Sequence, residues 1–158
     1  MPRLNRAISI ATTIPWAFGH VAPEGQLVFW FTGHGDEGRV IPWQEALRIV
    51  PGEKVRGELT STDHILSDGT YYDLYAFYGQ AGWYLAISLS SQEFDAYLWL
   101  YDEERQVIAT DDDGGGDTNA LIKMRLPTDG TYYVLVNAYG EGETGDYQLE
   151  LEASVKAK

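Results

Sequence analysis

Four aspartates fall within seven residues and form the part of the chain best suited to chemistry. Asp111, Asp112 and Asp113 are consecutive, and Asp117 follows the glycines at 114–116. Carboxylates this close repel one another unless a cation lies among them, and oxygen ligands favour a hard cation such as Ca²⁺. The pattern differs from an EF-hand loop, because the aspartates do not alternate and no bidentate glutamate follows. The sequence therefore predicts either a calcium site or a solvated acidic turn.

A second candidate site is the aromatic strand that precedes this loop. Residues 96–101 read AYLWLY, and strand geometry places alternate side chains on opposite faces. If the small and aliphatic residues face the core, Tyr97, Trp99 and Tyr101 line the other face. A row of exposed rings is a common means of binding a polysaccharide or a fibrous protein. The alternative is that the apolar run 27–31, which needs a partner surface, covers the row.

Short strands must position both features. Beyond residue 46, alternation and turn residues predict strands at 47–50, 54–59, 70–78, 83–89, 96–101, 107–110, 120–126, 131–139 and around 147–151. Trp83, Leu85, Ile87 and Leu89 point to one face of their strand. Because amphipathic crossover helices are absent from the sequence, these strands predict an all-β, antiparallel sandwich of about eight strands, preceded by an N-terminal extension.

Charge and composition narrow the function classes. The 158-residue chain has a net charge of −13, yet residues 1–50 hold as many arginines as carboxylates, so the acidic excess lies after residue 50. An acidic surface repels nucleic acid and anionic membranes, so neither is an expected partner. The chain has no cysteine, which excludes disulfides and thiolate chemistry. No apolar run is long enough for a transmembrane helix.

The first forty residues carry two further signals. Residues 1–18 resemble a secretory signal peptide only weakly. Pro15 interrupts their apolar stretch, and Pro23 would come directly after the nearest cleavage site that follows a small residue. The apolar run at 26–32 predicts a strand. The strand ends in Phe31, followed by Gly33 and His34, and this ending resembles the strand that carries the catalytic histidine of caspase-like peptidases. Those enzymes need a cysteine nucleophile that this chain lacks, so catalysis of that kind is not expected.

Six sequence blocks together resemble one family. They are VRGEL at 55–59, YDLYAF at 72–77, FDAYL at 94–98, DDD at 111–113, LPTDGTYY at 126–133 and GDYQL at 145–149. In this order, they are similar to the bacterial pre-peptidase C-terminal domain, a relative of the collagen-binding domains of collagenases. The resemblance covers residues 47–153 and implies a jelly-roll-like sandwich, with residues 1–46 as an extension and 154–158 as a tail.

The resemblance implies a non-catalytic accessory domain of an exported protein, extracellular or periplasmic, and not an enzyme. Such domains are expected to contact an extracellular polymer or a parent hydrolase, or to aid its maturation, and some bind Ca²⁺. Asp95 lies in one of the shared blocks and joins the candidate calcium ligands. The segment before the first strand has only Glu45 where calcium-binding relatives carry several acidic residues, which leaves the aspartate loop as the better candidate.

Two other functions remain open at this point. The chain could be a remnant or regulatory fragment of a caspase-like peptidase, with His34 as its relic. It could also be a purely structural module that aids folding or export without a ligand.

Overall fold

The computed structural model describes residues 18–21, 27–30 and 41–156. The chain divides into two compact units, Met1–Val40 and Ile41–Lys158. In the first unit, β1 (Phe18–Val21) and β2 (Leu27–Trp30) form an antiparallel pair. The strand predicted at 26–32 is therefore confirmed at its centre. His34 and the signal-like residues 1–17 lie outside the described residues, as do the side chains of β1 and β2.

The second unit is built from strands, which confirms the all-β class. A 3-10 turn at Trp43–Glu45 comes first. The strands that follow are β3 (Leu47–Arg48), β4 (Lys54–Leu59), β5 (His64–Ile65), β6 (Tyr71–Gly79), β7 (Tyr84–Ser91), β8 (Ala96–Tyr101), β9 (Val107–Asp111), β10 (Ala120–Arg125), β11 (Gly130–Ala138) and β12 (Gly145–Ser154). Eight strands of residues 41–156 have five residues or more. The two-residue strand β5 lies between the strands predicted at 54–59 and 70–78, where the sequence predicts no strand.

The strands of this unit form two sheets. One sheet has the order β10-β7-β12-β4, and the six-stranded sheet has the order β3-β6-β11-β8-β9, with β5 also paired to β6. All pairs are antiparallel except β3 with β6, which is parallel. The short β3 follows the 3-10 turn directly and joins the edge of the sheet beside β6, an arrangement that alternation within a two-residue strand cannot reveal.

The two sheets face each other across one apolar core. Inward-facing residues alternate along every long strand, as the period of two requires. From the four-stranded sheet come Leu85, Ile87, Leu89, Leu149 and Leu151, and from the six-stranded sheet come Phe77, Ala96, Leu98, Leu100, Val134 and Val136, all buried. The shared face predicted for Leu85, Ile87 and Leu89 and the core-facing residues predicted for β8 are therefore confirmed. Burial of each large aliphatic side chain contributes roughly 1.5–3 kcal/mol.

A smaller apolar cluster lies on the outer face of the six-stranded sheet. Its buried members include Leu74, Tyr101 and Leu135, and residues of the segment before β3 pack against them. Trp43 is central, with its ring centroid 4.9 Å from that of Tyr101. This segment thus covers part of a sheet face that would otherwise expose apolar surface. Among the described residues, the structure contains no helix of the length and apolarity that crossing a bilayer requires.

Candidate functional site

Asp111 closes the acidic loop through backbone hydrogen bonds. Its Oδ2 accepts hydrogen bonds from the N–H of Gly114 and the N–H of Leu121, both at 2.8 Å. Leu121 lies on β10, the edge strand of the four-stranded sheet, and Asp111 ends β9 of the other sheet. One carboxylate therefore holds the loop and ties the two sheet edges together. The local signal for this role is the aspartate at the end of a strand before a glycine turn.

The loop between β9 and β10 is an ordered turn. Gly115 donates its N–H to the carbonyl of Asn119 at 2.9 Å, and Asn119 donates to the carbonyl of Gly116 at 3.0 Å. A Cβ at position 115 would lie 2.9 Å from the Asn119 oxygen, so glycine is required there. Asp117 adopts φ of 53° and is exposed. The three glycines therefore allow the backbone to form a compact, hydrogen-bonded turn.

Asp95 lies where this loop meets two other segments. Its neighbour Ala96 donates its N–H to the carbonyl of Thr118 at 2.9 Å, and the Asp95 carbonyl accepts from the N–H of Tyr139 at 2.8 Å. The side-chain Oδ1 of Asp95 is buried without a hydrogen-bond partner in the described part of the chain. Burial raises the pKa of Asp95, and the negative charges of Asp113, Asp112 and Glu143 raise it further.

The structure thus brings some predicted ligands together and separates others. Asp112 and Asp113 act electrostatically on Asp95, whereas Asp111 is engaged with backbone N–H groups. Glu143, from the β11–β12 loop, was not predicted, since its approach depends on pairing between distant strands. Within the described residues, no three His, Asp or Glu side chains are grouped closely enough to hold a metal ion. The unpartnered Asp95 oxygen among carboxylates nevertheless fits the chemistry that a hard cation requires.

The aromatic row on β8 is only partly exposed. Tyr101, expected on the open face, is 5% exposed and belongs to the outer cluster. It is covered by Trp43, which also contacts Tyr133 with the ring centroids 5.0 Å apart. The segment before β3 therefore covers Tyr101, whereas the side chains of the run at 27–31 lie outside the described residues. Tyr101 is not available as a surface contact in this structure.

The other two rings continue the row toward an exposed tyrosine. The ring centroids of Tyr97 and Trp99 are 5.3 Å apart, and those of Tyr97 and Tyr139 are 6.1 Å apart. Tyr139 is 64% exposed, and the other two rings are half-buried. Trp99 donates its Nε1–H to the Oδ1 of buried Asn137 at 3.2 Å. This bond fixes the indole, so the rings form a preorganised aromatic surface.

A buried polar link between the sheets was not predicted. The Tyr147 hydroxyl of β12 donates to the Asp73 carboxylate at 2.5 Å and lies 2.6 Å from the Tyr75 hydroxyl of β6. Since Tyr147 donates to the carboxylate, Tyr75 is the donor to Tyr147. Burial raises the pKa of Tyr147, and its hydrogen bond to Asp73 raises it further. A Cβ on Gly57 would lie 2.3 Å from the Tyr147 ring, so Gly57 makes room for the link.

Comparison with known families confirms the resemblance found in the sequence. The family described as the bacterial pre-peptidase C-terminal domain matches residues 71–138. This segment runs from the start of β6 to the end of β11 and contains the aspartate loop and the aromatic strand. No curated protein sequence matches the chain significantly.

Two solved structures share the fold. The pre-peptidase C-terminal domain of collagenase from Bacillus anthracis has a TM-score of 0.53 and 23% identity, and the match covers 68% of this chain and 95% of that domain. PliG from Aeromonas hydrophila, a periplasmic inhibitor of g-type lysozyme, has a TM-score of 0.50 and 15% identity, with 69% and 97% covered. Both similarities establish the β-sandwich fold.

Proposed function

We propose that this chain is a non-catalytic accessory domain of an exported protein, and that it contacts an extracellular polymer or a parent hydrolase. The observation that carries the proposal is the aromatic surface formed by Tyr97, Trp99 and Tyr139. Its place in a fold shared with the accessory domain of a collagenase supports this role. An extracellular or periplasmic location is the corresponding part of the proposal.

The aromatic surface suits a repeating, flat-sided ligand. Tyr139 and Tyr97 offer ring faces together with hydroxyls, so each ring combines apolar area with a polar edge. Trp99 is held by Asn137, which in turn donates to the Thr70 hydroxyl at 3.1 Å. Little side-chain entropy is therefore lost when a ligand packs on the indole. Contacts of this kind are individually weak. The overall affinity rises when another part of the same protein binds the same polymer, because the second contact is then intramolecular.

Co-sedimentation with insoluble polymers tests the polymer contact. We expect the chain to sediment with collagen fibrils or with one insoluble polysaccharide from a panel. Replacing both outer tyrosines, Tyr97→Ser and Tyr139→Ser, should weaken this binding about tenfold, since two ring contacts are lost. Trp99 is left unchanged because its indole supports the sheet.

A matched control is available at the other end of the same sheet. Tyr78 is 59% exposed, close to the 64% of Tyr139. Tyr78→Ser should leave sedimentation unchanged. If the double variant binds as well as the wild-type chain, or if Tyr78→Ser weakens binding equally, the aromatic surface is not the contact. If no polymer binds, the polymer proposal fails and a direct contact with a hydrolase remains.

Calcium is the second part of the proposal. We infer that Asp95, Asp112, Asp113 and Glu143 would converge on the ion as it binds, because the unpartnered oxygen of Asp95 faces negative charge without compensation. In the described residues these side chains are not yet grouped closely enough to hold it. Bound Ca²⁺ would supply positive charge and link the β9–β10 loop to the β11–β12 loop. Asp111 would act by fixing the loop through its backbone bonds, and Asp117 stays a predicted ligand. An ion bound only to the folded chain stabilises it by mass action.

A further inference from the structure

The cover segment, residues 41–46, packs on the outer apolar cluster through half-buried side chains. Ile41, Trp43 and Ala46 make these contacts, and no residue of the 3-10 turn is buried. The N–H groups of Trp43, Glu45 and Ala46 donate within the segment, to the carbonyls of residues 41, 42 and 43. These N–H groups are therefore not donated to the sheet, and side chains attach the cover segment to it.

The rings under the cover segment continue the aromatic surface. Trp43 meets the rings of Tyr101 and Tyr133 edge-on, with centroid distances of 4.9 Å and 5.0 Å. Tyr101 of β8 and Tyr133 of β11 are directly opposite each other in the sheet. The ring of Tyr101 is also stacked with that of Trp99, with the centroids 6.5 Å apart and 17° between the planes. Moving the cover segment away would therefore add two rings to the aromatic surface.

Two basic side chains contact the cover segment. Arg105 lies over the Trp43 ring, with its Cζ 6.0 Å from the centroid. His64 of β5 has its Nε2 3.3 Å from Oε2 of Glu45. The His64 ring is stacked on that of Tyr72, with the centroids 5.6 Å apart, so β6 holds the imidazole in place. Because arginine stays charged whereas histidine changes its charge between about pH 5 and 8, of these two contacts only that of His64 responds to pH in this range.

Carboxylates act on His64 from the cover segment, from β6 and from its own loop. Glu45 is the first of them, and Asp63 directly precedes His64 in the chain. Asp73 of β6 interacts electrostatically with both His64 and Asp63. A proton on His64 is therefore attracted to negative charge and turns the contact with Glu45 into an ion pair. The ion pair is present at mildly acidic pH and is lost as the pH rises through the range in which histidine deprotonates.

We propose that the cover segment is a proton-dependent lid on the aromatic surface, held down while His64 is charged and released more often once His64 is neutral. Release exposes Tyr101 and Tyr133 and lengthens the row of rings on which a polymer can pack. Both side chains of the ion pair are more than half exposed, so the proton should change the ratio of open to closed forms only about threefold. The movement itself does not depend on the proposed function, whereas its effect on polymer binding rests on it.

A spin label at residue 44 tests the movement in the absence of any polymer. Gln44 is exposed in the 3-10 turn, and the chain has no cysteine, so Gln44→Cys provides a single labelling site. Electron paramagnetic resonance should show the ratio of mobile to immobile label rising about threefold between about pH 5.5 and 8. In this background, His64→Gln and Glu45→Gln should each hold the ratio at its high-pH value throughout. His34→Gln, which removes another of the three histidines, is the control and should leave the response unchanged.

Two results of the label experiment would overturn the proposal. One is a mobility that does not change with pH in the labelled chain. The other is a pH response that His64→Gln retains or that His34→Gln abolishes, since either would assign the proton to another group. Circular dichroism of each variant confirms that it is folded.

Co-sedimentation at the same two pH values separates the movement from its consequence. Polymer binding by the wild-type chain should strengthen up to about threefold at the higher pH, because the apparent affinity follows the fraction of the open form. In His64→Gln it should not change with pH. If the label responds as expected and polymer binding does not, the cover segment moves but does not regulate the aromatic surface, which overturns the proposal. If no polymer binds at either pH, the proposed function fails, and the label still decides whether the segment moves.

Discussion

Two aspartates in the unit at 41–156 differ in their hydrogen bonding: the carboxylate of Asp73 has a partner, and one oxygen of Asp95 has none in the described residues. Asp73 lies in the inter-sheet link, where the Tyr147 hydroxyl donates to it and Tyr75 supports that hydroxyl. Asp95 lies at the loop end, where one oxygen has no partner in the described residues and its charged neighbours are negative. A satisfied buried polar group stabilises a fold, whereas an unsatisfied one costs free energy. Asp73 therefore serves the fold, whereas the missing partner of Asp95 is the basis for proposing it as a cation ligand.

The largest effect should come from crowding the inter-sheet link. In Gly57→Ala, the new Cβ would lie 2.3 Å from the Tyr147 ring. The ring must shift, and the hydrogen bonds to Asp73 and Tyr75 should break. We expect a loss of about 3–5 kcal/mol in the free energy of unfolding, from overpacking together with unsatisfied polar groups. Urea denaturation measures it.

A glycine in open surroundings provides the control for that prediction. Gly142 has φ of +71°, and a Cβ added there would have no atom from beyond its chain neighbours within 4 Å. Gly142→Ala should cost only about 1 kcal/mol, through its backbone conformation. Equal losses in the two variants would show that the Tyr147 ring does not depend on the space at Gly57.

Removing one hydroxyl should have a smaller effect. Tyr147→Phe keeps the ring in the core but leaves the Asp73 carboxylate and the Tyr75 hydroxyl without their shared partner. We expect the free energy of unfolding to fall by about 2 kcal/mol. Tyr78→Phe, at an exposed ring, should change it by less than about 0.5 kcal/mol. A neutral Tyr147→Phe would contradict the role given to the link.

The Asp73 link should also respond to pH. Burial raises the pKa of Asp73 above its usual 3.8, although the hydrogen bond from Tyr147 opposes this shift. The folded state therefore binds a proton more readily than the unfolded state. This contribution to stability is fully present below pH 3.8 and is lost as the pH rises through the folded-state pKa. Denaturation across this range should show a flatter pH dependence for Asp73→Asn, whose amide oxygen still accepts from Tyr147. An equal dependence would contradict the assignment.

The smallest effect is expected at Asp95 in the absence of calcium. Asp95→Asn removes a negative charge that Asp113, Asp112 and Glu143 oppose. In chelator, the free energy of unfolding should therefore rise by a few tenths of a kcal/mol, the scale of partly exposed charge interactions. Glu104→Gln, at an exposed turn, is the matched control and should be neutral. Destabilisation by Asp95→Asn in chelator would mean that the carboxylate has a structural partner.

Most strands could be predicted from the sequence because the alternation of apolar and polar residues is visible within a few neighbouring residues. Leu85, Ile87 and Leu89 reveal the inward face of β7 by alternation alone, and β8 was predicted with its observed bounds. The strand predicted at 47–50 is observed only as the two-residue β3, and β5 was not predicted, because both form only through pairing with β6. A two-residue strand has no period for the sequence to show.

The contacts of the candidate site residues could not be predicted as well, because they join segments that are far apart in the sequence. Asp73 and Tyr147 are 74 residues apart, and no local pattern indicates that they meet. Trp43 covers Tyr101, so one member of the predicted aromatic row lies buried in the outer apolar cluster. Asp111 has the composition of a metal ligand, but the backbone N–H groups that it caps are visible only once β10 is placed beside β9.

Thermal unfolding in chelator and in excess Ca²⁺, with Mg²⁺ as the ion control, tests the calcium proposal most directly. For the wild-type chain we predict a Ca²⁺-specific stabilisation, about 2.7 kcal/mol when free calcium is a hundred times its Kd. Asp95→Asn with Asp113→Asn should lose it, and Glu104→Gln should retain it. Asp117→Asn decides whether the fourth aspartate of the loop is also a ligand. No calcium-specific shift in the wild-type chain, or an unchanged shift in the double variant, would contradict the assignment of this cluster as a cation site.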